Sequence, residues 1–95
     1  MVYNESRRLN KTIKFKKDAE NVKNKLEYEI KAHKLGEGKD GTINQLEKFY
    51  KEIELMIDSQ SFIPSYPRAI VDTWDYSSEL GNQLLDLYEV YKKLG

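Results

Sequence analysis

Between Ser77 and Leu94 the positions Ser77, Leu80, Leu84, Leu87, Tyr91 and Leu94 advance in steps of 3,4,3,4,3, which brings all of them onto one seam of an α-helix. Gly81, Leu85 and Tyr88 form a second row beside it, so the apolar arc covers about half the helix circumference. A face that wide meets two packing partners. Ile70 and Trp74 extend the row upstream, and Pro67 is pre-organised for a first helical turn. The pattern therefore predicts a helix over 67–94. Ser77 marks the one place where a break would find an N-cap, but the shared register across the join favours an unbroken helix.

Two further helices are legible upstream. Phe15, Ala19, Val22, Leu26, Ile30 and His33 recur at 4,3,4,4,3, and Leu35 followed by Gly36 reads as a helix end, giving a first helix over 15–35. Gly36, Gly38 and Gly41 make the connection flexible. Thr42 and Gln45 then have the spacing of a capping box, opening a second helix over 43–58 whose inner face is Ile43, Leu46, Phe49, Tyr50, Ile53, Met56 and Ile57. The two prolines, Pro64 and Pro67, mark the turn that follows.

The expected fold is all-α: an antiparallel three-helix bundle with a long C-terminal helix, with room for an extra short N-terminal helix. At 95 residues a single domain is expected. A helix of about 28 residues is roughly 40 Å long, longer than the second helix can cover. The remainder would be covered by the N-terminal segment or by another molecule.

Charge adds an asymmetry rather than a bias. Lys plus Arg and Asp plus Glu stand at 16 each, so net charge gives no reason to expect nucleic acid or an anionic membrane. Residues 1–40 nevertheless carry 11 basic side chains against 7 acidic, and residues 41–95 carry 5 against 9. The basic excess sits in the segment 1–14 and just beyond it, where Arg7, Arg8, Lys11, Lys14, Lys16 and Lys17 have no acidic residue among them. There is no cysteine, hence no disulfide or thiolate metal site. Without a run of 18 apolar residues or the apolar core of a signal peptide, the expected chain is cytoplasmic and not bound to a membrane.

Candidate chemistry is sparse. His33 is the single histidine and lies at a helix end, where a capping role suits it. Asp72, Asp75 and Glu79 would share one face of an unbroken third helix, continued by Asp86; such a ridge could attract a hard cation or a basic protein surface. Pro64 to Pro67 matches the minimal P-x-x-P pattern, but prolines are expected in a turn between helices for geometric reasons. No phosphate-binding loop or nucleophile motif is present. The expectation is a noncatalytic protein without cofactor or metal that binds another protein or itself. Apolar positions off the packed faces supply the candidate contacts: Leu55, Val71 and Val90, together with Trp74 as an aromatic anchor. The alternative is a small nucleic-acid-binding regulator that contacts phosphates through Arg7, Arg8, Lys14 and Lys17.

Overall fold

The computed structural model describes residues 2–94, with side chains from residue 11 onward. Four helices follow one another: α1 (Val2–Lys34), α2 (Ile43–Asp58), α3 (Tyr66–Thr73) and α4 (Glu79–Lys92). The expected all-α antiparallel bundle is present, but the long helix is the first and not the last. Pairing gives the direction of α2: Lys23 meets Glu54 and Glu27 meets Tyr50, so α2 runs antiparallel to α1. On the other side Phe15 stacks on Tyr91, with ring centroids 5.4 Å apart, and the Val22 turn faces Leu87. Thus α4 is antiparallel to α1 as well.

The three predicted apolar rows become the core. Phe15, Ala19, Val22 and Leu26 come from α1, Leu46, Phe49, Ile53 and Met56 from α2, and Leu80, Leu84, Leu87 and Tyr91 from α4; all are buried. Each completely buried leucine contributes about 2 kcal/mol. α1 closes as expected at Gly36, whose φ of 80° is cheap only for glycine. That conformation lets Gly36 N–H reach the His33 carbonyl and Glu37 N–H reach that of Ala32, the paired closure of a Schellman motif.

The predicted helix over 67–94 is two helices. α3 ends at Trp74, whose backbone is extended at ψ 154°. Asp75 Oδ1 then accepts from Ser77 N–H and Ser77 Oγ–H at 2.9 and 2.8 Å, and these two bonds, the amide first, hold its carboxyl below the usual aspartate range. Ser78, one residue after the expected cap, accepts from Gly81 N–H at 2.9 Å and starts α4. Short polar side chains outcompete helical hydrogen bonding here. The break also redirects the packing of Ile70 and Trp74. Folded back, α3 lays Tyr66 against Tyr88 and brings Trp74 beside Gly81. A Cβ at Gly81 would stand 3.2 Å from the Trp74 ring, so the missing side chain admits the indole.

A buried carboxylate fixes where α3 begins. Glu52 is only 7% exposed and accepts from Ser65 N–H, Ser65 Oγ–H and Tyr66 N–H at 3.0, 2.6 and 2.9 Å. It serves as an external cap for a helix whose own N-cap residue makes no side-chain capping bond. Tyr66 enters the core and donates from its hydroxyl to the Leu84 carbonyl at 2.8 Å. Tyr91 pins the loop before α3, its hydroxyl lying 2.7 and 2.6 Å from the carbonyls of Ser59 and Phe62.

Replacing Glu52 with Ala strands three donors and should cost about 3 kcal/mol in denaturant unfolding, whereas Glu52→Gln, which keeps a carbonyl oxygen, should cost less. Alkaline stability gives a second measurement. Burial, with Glu52 nearby, pushes the Tyr66 phenol far above its ordinary value, so only the unfolded chain releases that proton near pH 10. The unfolded state then binds fewer protons, and stability should fall as pH rises through about 10, by up to about 1.4 kcal/mol per pH unit for this group. Tyr66→Phe should flatten that slope in melts recorded across the alkaline range.

Candidate functional site

α1 is longer than its neighbours. Its 33 residues span about 50 Å at 1.5 Å each, against about 24 Å for α2 and 21 Å for α4, and the molecule measures 52 × 23 × 21 Å. Among the described side chains, the first buried one of α1 is Phe15, at the level of Tyr91 near the end of α4. Residues 2–14 therefore continue the helix beyond the bundle as an arm. The sequence placed the helix start at Phe15 because the core row begins there. The helix extends back to Val2 because no glycine or proline interrupts 2–34, and lengthening an existing helix avoids a new nucleation cost.

The basic segment occupies this arm and its root. Lys11, Lys14, Lys16 and Lys17 are exposed, and Ile13 among them is 52% exposed. Arg7 and Arg8 lie on the helical backbone, but their side chains are outside the described residues. Beside the root of the arm a shallow groove runs between α1 and α4. Asp18, Asn21, Val22 and Lys25 wall it on one side, and Gln83, Asp86, Leu87 and Val90 on the other. Lys25 and Gln83 also border a second depression that reaches Glu79 at the start of α4. Among the described residues, the ion pairs of lysine and arginine are Lys23 with Glu20 and Glu54, Arg68 with Asp72, and Lys92 with Glu89. None of them engages the arm lysines, Asp18, Asp86 or Glu79.

The other candidate residues are dispersed. Leu55 is 47% exposed on α2, nine residues and hence half a turn away from the buried Leu46 row. Val71 is 71% exposed on α3. Val90 is half-buried in the groove wall, on the α1 side of α4. Trp74 belongs with the core: its ring packs 5.7 Å from Phe49, and Nε1–H donates to Gln45 Oε1 at 2.7 Å. That bond alters the expected capping box. Thr42 Oγ1 does accept from Gln45 N–H at 3.1 Å, while the Gln45 side chain turns to the indole instead of back to the cap.

His33, the single histidine, and its neighbour Glu29 hold a loop. Glu29 Oε2 accepts from the N–H groups of Lys39 and Asp40 at 2.6 and 2.7 Å. His33 Nε2 lies 2.7 Å from the Asp40 carbonyl, so that nitrogen carries the proton and donates. The acidic ridge is divided by the break, with Asp72 on α3 beside Arg68, Asp75 in the turn and Glu79 opening α4. Among the described residues no cluster of three His, Asp or Glu side chains is placed to hold a metal ion, and no helix is long and apolar enough to cross a membrane. Pro64 and Tyr66 of the P-x-x-P stretch are buried, with Ser65 bonded to Glu52. Sequence reasoning missed Glu52 altogether, although an acid between Phe49 and Ile53 on the inner face of a helix was the available signal.

These placements separate surface from core energetically. Leu55→Lys and Val71→Lys should each change unfolding free energy by no more than about 0.5 kcal/mol. Trp74→Ala, which removes core packing and strands Gln45, should cost about 3 kcal/mol in the same titration. Compared with known proteins, the chain matches no family model, no curated protein and no solved structure.

Proposed function

We propose that this chain is a noncatalytic helical protein of the cytoplasm that works by binding another protein, a second copy included, and that the arm of α1 is its contacting element. The observation that carries this reading is the overrun of α1 beyond the bundle. A helical segment that runs on past the bundle has little reason to stay ordered on its own account, since isolated helices of this length are marginal in water. Docked against another surface, the exposed Lys11, Ile13 and Lys14 gain apolar and charged contacts. Engagement of Glu29, His33 and Glu52 in backbone hydrogen bonds supports the noncatalytic part, because these groups are already committed to holding the fold. The absence of cysteine suits a reducing compartment.

The same exposed lysines favour the second reading, in which Arg7, Arg8, Lys14 and Lys17 contact nucleic-acid phosphates. Asp18 and Asp86 beside the arm root oppose a polyanion there. One pair of experiments separates the two. Tagged wild-type chain recovered from its native cell should carry a protein partner that Lys11→Glu/Lys14→Glu loses, while labelled DNA and RNA should show no anisotropy change at low salt. Unchanged partner recovery by the charge-reversed arm would overturn the proposal, and steeply salt-dependent nucleic-acid binding would transfer the function to the second reading.

A further inference from the structure

Resting on the protein-binding reading of the arm, we infer that its occupant is the α1/α4 groove of a second copy, each molecule lending its arm to the other in a closed two-fold dimer. The first ground is charge. The arm and its root carry Lys11, Lys14, Lys16 and Lys17 with no acidic residue from Ser6 to Lys17, and no ion pair among the described residues engages these lysines. The groove offers Asp18 and Asp86, likewise outside those pairs, around the apolar floor of Val22, Leu87 and Val90. Lysines and carboxylates that form no ion pair among the described residues of one molecule are complementary between two.

The second ground is reach. From Val2 to Lys34 the helix contains no glycine or proline, so the arm leaves the bundle along the axis of α1 and cannot turn back into its own groove. Lys25 stands in the groove wall, but the arm lysines reach a groove only on another molecule. A third ground is register. Arg7, Lys11, Lys14, Asp18, Asn21 and Lys25 advance by 4,3,4,3,4, a single seam that is basic on the arm and passes to Asp18 where the groove begins. Two copies of α1 laid antiparallel along that seam set the basic stretch of each beside the Asp18 turn of the other. Asp86 of α4 flanks the same place. The arrangement is self-complementary and stops at two, in contrast to a head-to-tail contact that would grow into a filament.

The test is a charge swap read by light scattering and sedimentation on the full chain. Wild type should reach twice the monomer mass as concentration rises at low salt, and the dimer should weaken at about 1 M salt, where screening acts over about 3 Å. Lys11→Glu/Lys14→Glu and Asp18→Lys/Asp86→Lys should each raise the dimer midpoint roughly tenfold or more. Mixed in equal amounts, the two variants should recover the dimer, because an acidic arm then meets a basic groove and a basic arm meets an acidic one. Recovery on mixing also shows that both variants are folded. A wild type that stays monomeric at every concentration, a mixture that fails to associate, or growth beyond two copies would each overturn the dimer. Partner loss by the arm variant despite a monomeric wild type would overturn the dimer alone and leave the protein-binding reading standing.

Discussion

Glu52 determines how the second half of the molecule is arranged. A carboxylate on the inner face of α2 is costly to bury unless donors surround it, and the start of α3 supplies three. The interaction is mutual: α3 has only eight residues and would not persist alone, so the carboxylate satisfies amides that the short helix cannot satisfy internally. Once Ser65 and Tyr66 are held there, Tyr66 must enter the core beneath Phe49, the chain must run back along α4, and Trp74 arrives between Gln45 and Gly81. A polar bond thus sets the geometry in which the aromatic residues pack.

The rest of the bundle is held by similar clamps at its ends. Glu29 and His33 tie the glycine-containing loop to the end of α1, and Tyr91 ties the loop before α3 to the end of α4. These contacts make the two ends different in kind. At the loop end of α1 the polar groups are paired and turned inward. At the other end the helix simply continues, with its lysines exposed and Ile13 half in solvent. Function is therefore read from the arm and the groove at its root, where charges lack partners within the described residues, and not from the well-satisfied side chains of the loops.

How far this site could be read from the sequence depends on what each residue answers to. The basic run from Arg7 to Lys17 was visible directly, since charge needs no fold to be counted. Its presentation on a projecting helix was not, because the apolar row begins only at Phe15 and left room for no more than a separate short helix before it; that the two are one helix was decided by the fold. Val90 and Leu55 were equally apolar and equally off the main rows. Their difference, one facing α1 across a groove and the other facing away, arises from the directions in which α2 and α4 cross α1. Trp74 continued the apolar row and so pointed to the core, with an aromatic contact as its other reading; that it packs on Phe49 and Gly81 from a separate helix was decided by the break.

The sequence by itself determined the helical class, the three apolar faces and the closure at Gly36, because each follows from periodicity and from backbone preferences that act within a few residues. It also determined the charge asymmetry between the two parts of the chain. Only the tertiary structure decided that 67–94 is two helices and that α1 is the long one. Both choices compare local hydrogen bonding with burial against distant residues: Asp75, Ser77 and Ser78 can stop a helix, but stopping is worthwhile only because α4 and Glu52 receive what folds back. The arm shows the same rule in reverse, for nothing within the molecule competes with its continuing as a helix.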